Sequence, residues 1–125
     1  VNSTMDPARN QDAWTRLQRA VALAPKATER ERAFIRALEA RYAEHPPEDR
    51  RALDEAYAQS TGKLMRDRPD DLDAAVLHAE ALMDLHPWDL WSHGEARPRT
   101  PEIVAILERV LALNFPDSRY LRQRR

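Results

Sequence analysis

The sequence predicts an all-α protein in which helices are stacked side by side in antiparallel pairs. Three apolar stretches each end near a proline that is followed by residues able to cap a new helix, at Pro25, Pro69 and Pro116. The composition agrees, because 42% of the residues are hydrophobic, 33% are charged and only two are glycine. Helix stops that recur at similar spacing are typical of helical hairpins that bury one face against the next hairpin.

The first two helices are predicted from apolar spacing and capping chemistry. We expect the first helix to run from about Asn10, its cap, to Ala24. Thr28 and Glu31 have the spacing of a capping box and open a second helix, which the Pro46–Pro47 pair should end. The residues at helical spacing on the inward faces are Trp14, Leu17 and Val21 in the first helix and Phe34, Leu38 and Tyr42 in the second.

The third and fourth helices meet at Pro69. Pro47 suits the first turn of the third helix, which continues to Pro69 and is weakened locally by Gly62. Asp70 or Asp71 then caps the fourth helix. Apolar residues on two sides of the fourth helix indicate that it is buried between neighbours.

A loop and a fifth helix complete the predicted fold. Residues 86–99 have no apolar period and contain two prolines and a glycine, so we expect a long loop there. Thr100 should cap the fifth helix, with Pro101 in its first turn and Glu102 favoured by the helix dipole. We expect one domain over residues 1–125, either complete or part of a longer helical array, with a basic tail over residues 117–125.

Composition and charge limit the classes of function. A 125-residue chain with a formal charge of −1 has no overall field that would attract nucleic acid or an anionic membrane. The absence of cysteine excludes disulfides and thiolate chemistry. No apolar run reaches the roughly 20 residues of a membrane-spanning helix, and no signal peptide opens the chain, so we expect a soluble cytoplasmic protein without a membrane contact.

Motif residues in the first helical pair resemble those of tetratricopeptide repeats. Trp14 and Leu17 stand at the spacing that opens that motif. Phe34 and Ala37 occupy the positions of its aromatic residue and its second alanine. Residues 69–91 are also similar to segments of uncharacterised bacterial proteins of this repeat class. The resemblance implies a degenerate repeat in a right-handed α-α superhelix that binds other proteins, and it implies no catalytic residue and no cofactor.

The fifth helix and the loop before it are the predicted partner-binding surface. An odd number of helices leaves the last one without a pair, so its apolar residues need a cover. We expect a second copy of this chain, giving a homo-oligomer through the last helix, or an unknown protein partner. The predicted contact residues are Trp88, Trp91, Ile103, Ile106, Val110 and Leu113. A second interpretation is that both tryptophan rings fold back over the ends of the adjacent helices.

Two further hypotheses concern charged and imidazole side chains. A basic C-terminal cluster could bind nucleic acid or another anion, in competition with the interpretation that it is a solvated tail. Its residues are Arg119, Arg122, Arg124 and Arg125. Histidines and acids between His78 and His93 could hold a metal ion, but their spacing fits no metal-binding motif. We therefore predict no metal site, and we expect His78 to be a buried or half-buried histidine with a backbone or carboxylate partner.

Catalysis is not expected from this sequence. Ser60 and Thr61 are hydroxyl residues that could act as nucleophiles, but the chain has neither a nucleophile elbow nor a glycine-rich phosphate loop. The paired carboxylates lie where helix starts need them, which explains their presence without acid–base chemistry. We therefore predict that the protein is not an enzyme.

Overall fold

A computed structural model describes residues 5–114 of the chain as α-helices joined by short connections and one small hairpin. The helices are α1 (Pro7–Leu23), α2 (Glu29–Glu39), α3 (Arg51–Asp67), α4 (Leu72–Asp84) and α5 (Thr100–Asn114). Strands β1 (Trp91–Ser92) and β2 (Glu95–Ala96) pair antiparallel between α4 and α5. The predicted all-α class is confirmed, and the handedness of the array stays a prediction.

Each helix packs against the next helix in the chain. Arg30 at the start of α2 forms an ion pair with Asp71 at the start of α4, with Nε and Oδ2 2.6 Å apart. Arg41, just after α2, lies 3.0 Å from the carboxylate of Asp84 at the end of α4. Helices α2 and α4 therefore run in the same direction, and α3 returns between them, which gives the alternation expected of antiparallel hairpins.

Capping side chains explain where three of the helices begin. The predicted capping box of Thr28 and Glu31 is present at the start of α2. Asp71 caps α4, because its side chain accepts from the backbone of the first turn. The predicted cap of α1 is wrong: the carboxylate of Asp6 accepts from the first turn, and α1 begins before Asn10. A carboxylate and a side-chain amide oxygen cap helices about equally well, so more than one polar residue near a helix start fits the pattern.

The connection between α2 and α3 is longer than predicted. Helix α2 ends at Glu39 and α3 begins at Arg51, whereas continuous helix up to the two prolines was expected. The buried side chain of Asn10 holds this connection, since Nδ2 donates to the carbonyl oxygen of Ala43 at 3.0 Å and Oδ1 accepts from Arg50 at 3.0 Å. A residue expected to cap a helix therefore ties α1 to the α2–α3 connection instead.

Helix α4 lies between α3 and α5 and is buried on two sides, as the sequence predicted. Small side chains let the neighbouring helices approach closely. The buried apolar residues of α4 are Ala74, Ala75, Ala79, Ala81 and Leu82. Tyr57 and Ala58 of α3 and Ile103 of α5 complete the main core cluster. None of the described helices, α4 included, is both long and apolar enough to cross a membrane.

Candidate functional site

The segment between α4 and α5 is an ordered hairpin, and residues 86–99 are called the tryptophan hairpin below. The sequence predicted a long loop, and strands β1 and β2 pair within it. The turn between them is formed by His93 and Gly94, whose φ angles are 52° and 85°. Two successive positive φ angles are what a tight two-residue hairpin requires, because they match the twist of the flanking strands. The two-residue turn was the signal that the sequence reasoning missed.

Hydrogen bonds to Leu90 anchor the tryptophan hairpin to α5. The carbonyl oxygen of Leu90 accepts from the hydroxyl of Thr100 at 2.7 Å and from the backbone N–H of Arg97 at 2.9 Å. Thr100 is 1% exposed, and its hydroxyl was expected to cap α5. That expectation is wrong, because Thr100 is itself the first residue of α5 and its hydroxyl donates to the hairpin. The side chain of Leu90 packs against the main core, so the base of the hairpin is fixed.

Both tryptophans of the hairpin point towards solvent. Trp88 is 91% exposed and Trp91 is 59% exposed. The interpretation in which the rings fold back over the helix ends therefore does not describe Trp88. Trp88 also has a φ of 63°, in the left-handed region that favours glycine. This backbone geometry and the ring exposure are both unfavourable for the isolated chain, so they make Trp88 a candidate binding residue.

The apolar residues predicted on α5 do not form one open face. Ile103 and Val110 are buried, and Ile103 packs in the main core cluster with residues of α4, so neither is available to a partner. Ile106 is partly buried against the same core. Leu113, at 57% exposure, is open to solvent. The arginines predicted to bind anions lie outside the described residues: Arg119, Arg122, Arg124 and Arg125.

A second candidate site is a groove of about 750 Å³ between α3, α4 and the start of α5, called the His78 groove below. His78 is 5% exposed, as predicted for a buried histidine. Its Nδ1 lies 3.2 Å from Oγ1 of Thr61, and its Nε2 lies 3.8 Å from Oε1 of Glu102. The imidazole therefore has a hydroxyl partner on one side and a carboxylate beyond hydrogen-bond distance on the other.

The hydroxyl of Thr61 determines which nitrogen of His78 carries the proton. Thr61 is fully buried, and its Oγ1 lies 2.9 Å from the carbonyl oxygen of Tyr57 and 3.1 Å from that of Ala58. A hydroxyl has one proton to donate. We assign that proton to a carbonyl, since the carbonyls are the nearer acceptors and carry no proton of their own. Oγ1 then accepts from Nδ1–H of His78, and Nε2 presents a lone pair towards the groove.

Gly62 makes the space that the imidazole occupies. A Cβ placed on Gly62 would lie 2.9 Å from Cε1 of His78, closer than real Cβ contacts allow. The same position lies 3.3 Å from Nη1 of Arg66. The sequence treated this glycine as a local weakness of α3, but its role is to let His78 and Arg66 approach the helix. An isolated glycine within a helical pattern is the sequence signal for such a close approach.

Both basic and acidic side chains line the His78 groove. The arginines are Arg51, Arg66 and Arg99, and the carboxylates are Glu55 and Glu102. Burial is the main reason that the pKa of His78 lies below its ordinary value. The carboxylate of Glu102 opposes this shift, and the two guanidinium groups of Arg66 and Arg99 add to it. His78 is therefore neutral at physiological pH in a groove with several positive side chains.

Sequence reasoning did not predict the His78 groove. It considered His78 together with His86 and nearby acids as a metal site and set that hypothesis aside. Within residues 5–114, no group of three or more histidine, aspartate or glutamate side chains is placed to hold a metal ion. The groove residues come from α3, α4 and the start of α5, so only the packing of these helices brings them together.

Comparisons with known proteins add no assignment to these two sites. No family model, curated protein or solved structure matches the chain. The resemblance to tetratricopeptide repeats therefore stays a prediction from the motif residues, and function has to be inferred from the geometry of the tryptophan hairpin and the His78 groove.

Proposed function

We propose that this chain is a non-catalytic protein-interaction module that contacts a protein partner through Trp88 and Trp91. The observation that supports the proposal most directly is the 91% exposure of Trp88 on an anchored hairpin. Tryptophan is enriched among the residues that contribute most to protein interfaces. The proposed role needs no cofactor, and we propose that it is carried out in the cytoplasm.

The energetics of the two rings favour a partner of protein type. Covering one tryptophan ring, with roughly 150–250 Å² of surface, contributes on the order of 4 kcal/mol before the costs of association. The hairpin is already anchored through Leu90 and Thr100, so little backbone freedom is lost on binding. The hairpin also carries an ion pair between Arg97 and Asp89 at 3.1 Å, so an apolar patch with a polar rim on another protein would suit the exposed rings.

A photo-crosslinker in place of Trp88 tests this proposal. We expect benzoylphenylalanine at position 88 to give one discrete crosslinked protein when the chain is expressed in its native cells. The matched control is the same crosslinker at Gln18, an exposed position on α1. Equal crosslinking from both positions, or none from position 88, would show that the tryptophan hairpin is not an interface.

A second copy of this chain is the other partner that the sequence predicted, and the exposed end of α5 supports that form of the proposal. Leu111 and Leu113 are 43% and 57% exposed. Sedimentation of the wild type and of Leu113→Glu and Trp88→Ala variants separates the two forms. A dimer lost only in Leu113→Glu would assign self-association to α5. A dimer lost only in Trp88→Ala would make the second copy the partner of the hairpin.

A further inference from the structure

The His78 groove has the features of a ligand site that is separate from the tryptophan hairpin. We propose that this groove binds a phosphate group, either as inorganic phosphate or as a phosphate monoester. The guanidinium groups of Arg66 and Arg99 hold the phosphate oxygens, and Nε2 of His78 shares a proton with one of them. This inference does not depend on the proposed interaction function.

Three arginines (Arg51, Arg66 and Arg99) and two carboxylates (Glu55 and Glu102) line the groove, so positive charge is in excess there. The guanidinium of Arg51 is already paired with Glu55 at 3.1 Å. Neither Arg66 nor Arg99 forms an ion pair with any carboxylate in residues 5–114. Guanidinium groups present several N–H donors in a planar fork that matches the oxygens of a phosphate. Two such groups on one groove therefore favour a ligand with several acceptor oxygens.

Arg66 and His78 lie close to each other beside Gly62. Nη1 of Arg66 and Nε2 of His78 are each 3.3 Å from the point where a Cβ of Gly62 would stand. The two nitrogens are therefore near enough for one small ligand in the groove to contact both. Arg99 lines the same groove from the start of α5. The absence of a side chain at position 62 is what lets the imidazole and the guanidinium lie this close to α3.

The lone pair on Nε2 distinguishes phosphate from a carboxylate ligand. His78 is 95% buried, and its Nε2 has no hydrogen-bond partner in the described residues, with Glu102 at 3.8 Å. A ligand that satisfies the groove needs acceptors for the arginines and a hydrogen for Nε2. A carboxylate at neutral pH has only acceptors. A phosphate group has a second pKa near 6, so it carries or readily takes up the required proton.

The size of the groove admits more than a bare ion. Its volume of about 750 Å³ lies within the range of roughly 300–1,000 Å³ that is typical of small-molecule sites. Ala58 and Leu85 add apolar surface to its wall. There is room for the organic part of a phosphate monoester next to the arginines.

Titration calorimetry of the full chain with inorganic phosphate, at neutral pH and constant ionic strength, tests the proposal. We expect the Arg66→Gln/Arg99→Gln double variant to bind phosphate at least about tenfold more weakly than the wild type. The matched control is Arg19→Gln, which removes an exposed arginine from α1 and should leave the affinity unchanged. Both groove arginines are exposed, so the double variant should fold, and circular dichroism checks this.

Two results would overturn the phosphate site. One is the absence of binding at about 10 mM phosphate, well above a millimolar dissociation constant. The other is an equal loss of affinity in the Arg19→Gln control, which would indicate attraction by the whole surface. Sulfate has no proton at neutral pH, so it should bind more weakly than phosphate, and equal affinity would contradict the role of Nε2.

Phenyl phosphate distinguishes the two sources of the phosphate group. Tighter binding of phenyl phosphate than of inorganic phosphate would assign the groove to a monoester, and the reverse order would assign it to the free ion. Either order supports the shared chemistry, provided that the double variant loses the binding. The free amino acid glycine, which has a carboxylate and an ammonium group, is the alternative ligand in this experiment. Tighter binding of free glycine than of both phosphates would refute the proposal.

Discussion

Gly62 and His78 share one space between α3 and α4: a Cβ on Gly62 would lie 2.9 Å from Cε1 of the imidazole. The ring has little room to withdraw, because His78 is 5% exposed and Nδ1 is held by the hydroxyl of Thr61. A glycine in the middle of a helix normally reduces stability by about 1 kcal/mol relative to alanine. Here the missing side chain is what permits the histidine to be buried.

The Gly62→Ala variant should be less stable than the wild type, although alanine is the better helix former. We expect a loss of about 1–3 kcal/mol in the free energy of unfolding, because the new methyl group overlaps the buried imidazole. Urea denaturation measures this change. In a His78→Ala background the clash is absent, so Gly62→Ala should stabilise the chain there. Stabilisation by Gly62→Ala in the wild-type background would contradict the contact.

The stability of the fold should decrease at mildly acidic pH because of His78. Burial keeps its pKa below the ordinary value of 6.5, so the unfolded chain takes up the proton first as the pH falls. The stability that comes from keeping His78 neutral is therefore fully present above about pH 6.5. It is lost as the pH falls from there to the lower pKa of the folded state. Urea denaturation of the wild type and of His78→Asn across this range should show a steeper pH dependence in the wild type. Parallel curves would mean that His78 titrates normally.

Asp71 has two roles that substitution can separate. Its carboxylate caps α4 and also binds Arg30, which keeps the pKa of Asp71 below its usual range. Asp71→Asn keeps a capping oxygen and loses the ion pair, which is partly exposed, so we expect a loss of at most about 1 kcal/mol. Asp71→Ala loses both and should be less stable than Asp71→Asn by about a further 1 kcal/mol. Equal stability of Asp71→Asn and Asp71→Ala in urea denaturation would contradict the capping role of Asp71.

Asn10 should be one of the few polar residues whose loss destabilises the fold strongly. Asn10→Ala removes the two hydrogen bonds that its buried side chain makes to the partly buried Ala43 carbonyl and Arg50 guanidinium, and we expect a loss of about 1–3 kcal/mol. The neighbouring Gln11→Ala substitution, at an exposed position, should change stability by less than about 0.5 kcal/mol. Thermal unfolding of both variants gives the comparison. A similar melting temperature for the two would show that Asn10 does not hold the connection.

Trp88 should be dispensable for folding. Trp88→Gly relieves the left-handed backbone strain, and the ring makes few contacts to lose, so we expect the free energy of unfolding to rise by up to about 1 kcal/mol. Trp88→Ala keeps a Cβ and should leave stability nearly unchanged. Leu82→Ala, in the core, should cost about 2–5 kcal/mol by comparison. A large loss in Trp88→Gly would show that the ring packs within the fold.

The candidate sites were predictable only in part. Trp88 and Trp91 were identified from the sequence because they lie in a predicted loop, where no apolar helix face accounts for two aromatic side chains. The apolar pattern of α5 could not tell which residues face α4, so Ile103 and Val110 were assigned to a partner although they lie in the core. Arg66 was not predicted as a site residue, because an arginine that lines a groove and an arginine on an open helix surface look the same in the sequence.

The sequence by itself determined the features that depend on residues a few positions apart. These include the all-α class, the capping box of Thr28 and Glu31, a cap of α4 at Asp70 or Asp71 and the burial of α4 on two sides. Only the tertiary structure decided that Asn10 would hydrogen-bond to the α2–α3 connection and that the hydroxyl of Thr100 would anchor a hairpin. Capping and helical periodicity act within one or two turns, whereas these contacts and the His78 groove exist only once separate helices have packed together.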